Sequence, residues 1–246
     1  MKLTINIPET LNEVTLKQYQ KWLKIADGKE LDSFLQQRMV EIFCNIPLKN
    51  VLQIKATDIN NICEELTKLF NNEPKFIDRF TLNDKEFGFI PKLDDISFGE
   101  YVDLDTYLAD WEQMNKAIGV LYRPITYKKK KQYLIEDYES ADKYDMSEVT
   151  LDVVFGSLVF FLQFKERITE NYPELFSNTE GDRAASASAG FSAKWGWYQS
   201  IYGLTNGDIL KYNEITKSKL HTCLMHLAFE KDKYELEQQI LKRSQR

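Results

Sequence analysis

The residues that most often perform acid–base or metal chemistry are scarce in this chain and poorly spaced for it. Only two histidines are present, His221 and His226. Zinc-binding histidines on a helix are four residues apart, whereas a separation of five turns the two rings about 140° away from each other. Asp103, Asp105 and Asp110 lie close together, but carboxylates at a helix start also complement its dipole, and no second acidic cluster has matching metal spacing. We therefore expect no catalytic residue, no metal site and no cofactor.

Nucleophile and nucleotide motifs are also missing from the sequence. There is no G-x-S-x-G elbow, no P-loop and no G-x-G-x-x-G fingerprint. Cys44, Cys63 and Cys223 are widely spaced in apolar stretches without a C-x-x-C pair, which is typical of buried free thiols. The pattern favours a protein that is not an enzyme. An enzyme of another type, with a polar pocket around Asp103, Asp105 and a histidine, is the alternative.

A run of four lysines could contact phosphates or an acidic protein surface. It consists of Lys128, Lys129, Lys130 and Lys131. Extended segments on both sides predict that this basic tip closes a β-hairpin, where lysines are commonly just solvated. The chain carries a formal charge of −6. Any contact with nucleic acid would therefore be local and salt-sensitive, and nucleic acid is not expected to be a general partner.

An aromatic block follows the only low-complexity stretch of the chain. It contains Phe191, Trp195, Trp197, Tyr198 and Tyr202. Tryptophan and tyrosine are enriched at interface hot spots, so these side chains are candidate anchors for a partner. They could equally attach their helix to the core, and the sequence leaves both readings open.

The last helix, predicted from about residue 213 to 243, carries a second set of candidates. Leucines and other residues recur there at alternating spacings of four and three, including Lys231 and Tyr234. This spacing is typical of coiled coils, with polar residues entering towards the end. We expect the first half of the helix to pack in the core and the second half to project or to pair with a partner.

These candidates must be positioned by a mainly α fold, a multi-helix bundle with one or two small β-hairpins. The segmentation is an N-terminal helical unit (1–75), hairpins with central buried helices (76–176), a flexible linker or arm (177–190) and a C-terminal aromatic and long-helix region (191–246). In the first unit, alternation over Leu3–Ile7 predicts an edge strand, and Thr15 with Gln18 predicts a capping box. The run from Leu151 to Phe164 predicts a helix buried on all sides.

The same apolar run is too short to cross a bilayer, which needs about 20 residues. The N-terminus lacks an apolar core of signal-peptide length. We therefore expect no membrane partner, and a location in a reducing cytoplasm or in a particle assembled there.

Three segments carry a family resemblance. They are an opening IPETL…VTLKQYQKW, a middle AIGVLYRPI (117–125) and a closing WGWY (195–198) followed by GDI (207–209). Together they resemble morphogenesis proteins of tailed bacteriophages, in particular helical proteins of phages infecting Bacteroidetes. The resemblance implies a tail assembly chaperone-like protein or a tail or head–tail component of the particle. It also implies other phage structural proteins as partners, with a homo-oligomer as a further option. Its location would be the virion, or the host cytoplasm during assembly. The alternative is a packaged or DNA-contacting phage accessory protein that uses the basic tip.

Overall fold

The computed structural model describes residues 5–130, 132–176 and 194–244 of the chain. The predicted linker at 177–190, Phe191 and Lys131 lie outside the described residues. The protein is mainly helical, as predicted. The α-helices are α1 (Leu16–Ala26), α2 (Ser33–Phe43), α3 (Leu48–Val51), α4 (Ala56–Phe70), α5 (Phe98–Tyr107), α6 (Met114–Leu121), α7 (Leu151–Asn171), α8 (Pro173–Phe176), α9 (Trp197–Leu204), α10 (Tyr212–Lys217) and α11 (Leu220–Ser244). Short 3-10 helices lie at Leu11–Glu13, Leu93–Asp95, Trp111–Gln113 and Ile209–Lys211.

The β-structure is larger than the one or two separate hairpins that we predicted. The strands β1 (Arg79–Leu82), β2 (Lys85–Phe89), β3 (Tyr122–Lys129) and β4 (Gln132–Ile135) form one antiparallel sheet in the order β1-β2-β3-β4. The two hairpins join because β2 pairs with β3. A lone hairpin is marginally stable in water, and joining two of them pairs one open edge of each.

The predicted edge strand at Leu3–Ile7 is wrong for its described part, because Ile5–Ile7 form no strand. Local alternation of apolar residues shows which face could be buried, but a strand also needs a neighbouring edge to pair with. Among the described residues, the first pairing along the chain is instead an isolated antiparallel bridge between Thr15 and Thr150.

Two stretches with a continuous helical pattern in the sequence are each divided in the structure. In the stretch 98–119, one α-helix ends at Tyr107 and the next begins at Met114, and the helix predicted at 213–243 is interrupted between Lys217 and Leu220. At the second interruption, Ser218 and Lys219 are drawn into backbone pairing with residues 96–98. A tertiary contact therefore overrides the continuous helical pattern.

The chain forms two compact units, each built from two stretches of sequence. Unit 1 comprises Met1–Phe89 and Tyr107–Phe161. Its bridge between Thr15 and Thr150 lies directly before α1 and α7, and the Leu16 amide donates to the Val149 carbonyl at 2.8 Å. The predicted capping box of Thr15 and Gln18 is confirmed, with each side chain reaching the other residue's backbone amide. The sheet and helices α1 to α4 and α6 belong to this unit.

Unit 2 comprises Ile90–Thr106 and Leu162–Arg246. A second isolated bridge joins Ser97 and Lys219, directly before α5 and α11. The Leu220 amide donates to the Ile96 carbonyl at 2.9 Å, and the Phe98 amide donates to the Ser218 carbonyl at 2.8 Å. The fully buried side chains of its core are contributed by both stretches: Phe98, Tyr101, Leu104, Leu220 and Leu224.

Helix α7 is less completely covered than its sequence predicts. Phe161 and Phe164 are buried, but Val159 and Leu162 are exposed. Uniformly apolar composition thus does not ensure burial at every position. Among the described residues, no helix has the length and apolar character needed to span a membrane.

Close packing around Gly156 of α7 predicts that a methyl group added at this position destabilises the protein. A Cβ at Gly156 would lie 2.2 Å from the Lys75 carbonyl oxygen, whereas a Cβ at helical Gly203 would meet nothing within 4 Å. We expect Gly156→Ala to destabilise the protein by about 1–3 kcal/mol through overpacking. Gly203→Ala, the matched control, should stabilise it by about 0.5–1 kcal/mol because alanine favours a helix. Urea unfolding followed by circular dichroism measures both, and equal midpoints would contradict the close packing.

Candidate interaction surface

Trp197 anchors helix α9, which carries part of the aromatic block, in unit 2. Its indole Nε1 donates a hydrogen bond to Asp105 Oδ2 at 2.9 Å. Its ring contacts Phe98 and Tyr101 edge-on, with centroids 5.7 and 5.6 Å away. The same Asp105 carboxylate forms an ion pair with Lys165. Of the two readings left open by the sequence, the structure gives Trp197 the role of an internal anchor.

Other aromatic residues of the block remain exposed beside this anchor. Trp195, Tyr198 and Tyr202 are 40%, 46% and 57% exposed. The Trp195 and Tyr198 rings lie 5.6 Å apart, and the Tyr212 hydroxyl donates to the Tyr198 hydroxyl at 3.3 Å. This hydrogen bond raises the pKa of Tyr212 to about 12, so the Tyr212 hydroxyl stays protonated at neutral pH.

Two aliphatic residues extend this exposed group. The Tyr202 ring packs over Gly207, whose φ of 78° turns the chain into the 3-10 helix Ile209–Lys211. In that helix, Ile209 is 70% and Leu210 is 86% exposed. We call Trp195, Tyr198, Tyr202, Ile209, Leu210 and Tyr212 the aromatic surface.

The aliphatic part of the aromatic surface was not predicted from the sequence. Asp208 accepts a hydrogen bond from the Leu210 amide at 3.0 Å and thereby caps the short helix. The sequence pattern that indicates it is a pair of large aliphatic residues directly after a Gly-Asp turn. A turn that is fixed by its own cap can hold apolar side chains in water without burying them.

On α11, the two predicted candidates lie in different environments. Lys231 donates to the Glu174 carbonyl oxygen and is partly buried, so it ties α11 to α8. Tyr234 is exposed. From Asp232 to Ser244, every residue except Gln238 is exposed. The first half of the helix is thus held in unit 2, where Leu220, Cys223, Leu224 and Ala228 are buried.

A second apolar face of α11 was not identified from the sequence. Met225, Phe229, Leu236 and Ile240 are each 57–65% exposed. At about 100° per residue, these four side chains lie within an arc of about 60°, roughly opposite the buried face. We call them the C-terminal stripe. Its signal in the sequence is the spacing of four, seven and four, which the more conspicuous leucine repeat obscured.

The described lysines of the basic tip lie at the end of β3, for Lys128 and Lys129, and in the turn that follows it, for Lys130. Lys128 forms an ion pair with Glu86 at 2.6 Å, and Lys130 occupies the turn with a φ of 57°. Lys129 and Lys130 are exposed. Because Glu86 offsets the charge of Lys128, the tip presents less positive charge than the lysine run indicates.

The histidines and cysteines that the sequence offered as candidates for chemistry lie in different environments. His221 Nδ1 lies 3.0 Å from the Tyr172 hydroxyl, and His226 is exposed. Cys44 and Cys63 are buried, as predicted, and burial raises the pKa of each thiol to about 11, which disfavours a reactive thiolate. In the part of the chain that the structure describes, no group of histidine, cysteine or acidic residues could hold a metal ion.

Comparison of the chain with protein-family models, with curated proteins and with solved structures finds no match in any of the three. The arrangement of exposed side chains is therefore the observation from which a function can be inferred. Most of the large apolar side chains that are exposed among the described residues lie in unit 2.

The two tryptophans at either side of Gly196 should respond differently to substitution. Trp197→Phe removes the hydrogen bond to Asp105 and should lower the free energy of unfolding by about 1–2 kcal/mol. Trp195→Phe keeps an exposed aromatic ring and should change it by less than about 0.5 kcal/mol. Urea unfolding measures both, and an equal loss in the two variants would rule out a special anchoring role for Trp197.

Proposed function

We propose that this protein is a non-enzymatic binding protein that presents the aromatic surface of unit 2 to another protein. The observation that carries the proposal is the exposure of three aromatic rings beside Ile209 and Leu210. Contiguous exposed apolar surface of this kind marks interaction sites more often than scattered single residues do.

The aromatic surface has the properties of an interface anchor. Its rings contact one another, and α9 is held from behind by Trp197, so little side-chain entropy remains to be lost on binding. The hydroxyl groups of Tyr198 and Tyr212 can meet polar groups of a partner while the rings contribute apolar area. A protein partner fits this combination better than a small molecule does, because the side chains form an outward-facing surface.

The biological setting that we propose is assembly of a tailed bacteriophage. It rests on the three sequence segments described above, of which the closing one, WGWY followed by GDI, lies in and beside the aromatic surface. In this setting the protein is tail assembly chaperone-like or a tail or head–tail component, and its partners are other phage structural proteins. A chaperone would cover a tail protein until assembly, whereas a component would keep the contact in the virion.

A DNA-contacting accessory role through the basic tip is the alternative. Lys129 and Lys130 are exposed and available for phosphate contacts. The ion pair of Lys128 with Glu86 reduces that charge, and so few contacts would give weak, strongly salt-dependent binding. Retention on heparin at about 50 mM salt that is lost in a Lys129→Ala/Lys130→Ala variant would favour this role.

The binding proposal predicts a specific loss of affinity when the aromatic surface is truncated. The triple variant Trp195→Ala/Tyr198→Ala/Tyr202→Ala should weaken the complex with a tail or head–tail protein of the same genome at least about 100-fold. Each such protein is co-expressed with the chain, and the affinity of any complex is measured by calorimetry. Leu31→Ala/Leu52→Ala, which truncates two exposed leucines of unit 1, is the control and should bind normally.

Circular dichroism of both variants serves to check that they are folded. Equal affinities of the two variants would exclude the aromatic surface as the binding site. If none of the phage structural proteins forms a complex with the wild-type chain, the assembly role is wrong. Mass spectrometry of purified particles then separates the two forms of the role, because a component is abundant in virions and a chaperone is absent.

A further inference from the structure

We propose that two copies of this chain associate edge to edge through β4, so that their sheets form one continuous antiparallel sheet across a two-fold axis. β4 (Gln132–Ile135) is the last strand of the sheet, and no strand in the described part of the chain pairs with its outer side. The association uses unit 1, so it does not rest on the function proposed for the aromatic surface of unit 2.

The backbone of β4 offers hydrogen-bonding groups on its outer side. In an antiparallel pair, alternate residues direct their amide and carbonyl groups towards the neighbouring strand. The Glu136 amide donates to the Pro124 carbonyl of β3 at 3.0 Å, and Leu134, two residues earlier, faces β3 in the same way. Tyr133 and Ile135 therefore direct their backbone groups outward. Such unpaired groups at the edge of a sheet are a template for another strand.

β4 lacks the features that commonly protect a sheet edge from pairing. Its residues, Gln-Tyr-Leu-Ile, include no charged side chain and no proline. The irregularity in the pairing of β3 with β4 lies on β3, between Ile125 and Tyr127, and not on the outer strand. Tyr127 and Leu134 are partners across the two strands and are 55% and 60% exposed. The core therefore does not cover this end of the hairpin, and a second strand has room beside it.

One register pairs the outward groups of both copies. When the two-fold axis passes beside Leu134, Tyr133 of each copy lies opposite Ile135 of the other, and each of these pairs exchanges both of its backbone hydrogen bonds. An axis beside Tyr133 or Ile135 would retain a single such pair within β4. In the favoured register, Leu134 faces Leu134 of the other copy, and the Tyr127 side chains extend this apolar row at both ends. A two-fold interface requires this self-complementarity of one patch.

The charges beside β4 identify a second copy as the strand that pairs with it. The chain is basic before β4, where Lys129 and Lys130 are exposed, and it continues after β4 into Glu136 and Asp137. In the antiparallel register, Glu136 of each copy lies opposite Gln132 of the other, and Asp137 lies beside the turn of the other copy. Both carboxylates thereby approach the lysines of the other copy at each end of the interface. A second copy carries the two charged ends in the order that this complementarity requires.

Sedimentation equilibrium of the purified full chain tests the self-association. We expect a monomer–dimer equilibrium with a micromolar Kd, which is visible up to about 100 µM protein. Leu134→Lys should weaken the dimer at least about 100-fold, because it replaces the apolar pair on the two-fold axis by two facing positive charges. Leu52→Lys is the matched control, since Leu52 is another leucine of unit 1 that is 60% exposed, and it should leave the Kd unchanged.

Proline substitution tests the pairing of the backbones. Proline lacks an amide hydrogen but is tolerated in an edge strand where that amide faces outward. Ile135→Pro should therefore weaken the dimer at least about tenfold more than Ile135→Ala, which shortens the same side chain and keeps the amide. Circular dichroism of both variants serves to check that the monomer is folded.

Cysteine substitution tests the register. Mild oxidation of Leu134→Cys should give a disulfide-linked dimer, because facing α-carbons in such a pair are about 4.5 Å apart, within the range that a disulfide spans. Gln132→Cys is the matched control on the same strand. Its positions in the two copies would be four residues apart, about 13 Å along the strand, and should not cross-link. Cys44, Cys63 and Cys223 are buried, so the introduced thiol is the one that reacts.

Several outcomes would overturn the proposal. A chain that is monomeric at 100 µM refutes the self-association, and a dimer that survives Leu134→Lys is formed by another surface. Equal affinities of the proline and alanine variants would exclude backbone pairing, and equal cross-linking of the two cysteine variants would exclude the register. The triple variant of the aromatic surface should keep the wild-type Kd of the dimer, which separates a failure of this proposal from a failure of the proposed function.

Discussion

Two short backbone pairings at the starts of helices are the constraint on which the rest of the structure depends. The bridge between Thr15 and Thr150 joins the starts of α1 and α7, and the bridge between Ser97 and Lys219 joins the starts of α5 and α11. The first amides of a helix have no partner within it, so buried helix starts need other acceptors. Each bridge supplies such acceptors and at the same time brings together stretches that are more than 100 residues apart. The capping side chains Thr15 and Gln18 act at the same place, as do Ser97 and Glu100 in unit 2.

The core of unit 2 determines which aromatic side chains remain available for binding. Trp197 is held by the Asp105 carboxylate and by rings of α5, while Lys165 balances the charge of that carboxylate. A partly buried carboxylate is destabilising unless it is paired. The hydrogen bond from Trp197 and the ion pair with Lys165 therefore form a network in which each contact supports the other. With α9 fixed by one tryptophan, the neighbouring aromatic residues face outward. Within residues 195–198, Trp197 therefore anchors the helix, while Trp195 and Tyr198 are exposed.

Unit 2 presents two apolar surfaces with different character. The aromatic surface combines rings with hydroxyl groups, which suits a partner with polar groups at its interface. The C-terminal stripe is aliphatic apart from Phe229 and is flanked by Asp232 on one side and Lys233 on the other. The aromatic surface depends on local structure that is well supported, since a capped 3-10 helix carries Ile209 and Leu210. Leu236 and Ile240 of the stripe, by contrast, lie in the exposed half of α11. The proposed binding through the aromatic surface thus relies on exposed apolar side chains that are carried by a rigid backbone.

The sequence by itself determined the helical class, the capping box at Thr15, the two hairpins and the burial of the three cysteines, because each depends on local spacing or on side-chain polarity. Only the tertiary structure decided that the hairpins share one sheet, that the segment before Pro8 forms no strand in its described part, and that Ser218 and Lys219 interrupt a helical pattern. It also decided that Trp197 is an anchor, that Lys231 binds a carbonyl and that the opposite face of α11 is exposed. These outcomes depend on partners distant in sequence. Periodicity can identify the two apolar faces of a helix, but only the neighbours that pack against it determine which face is covered.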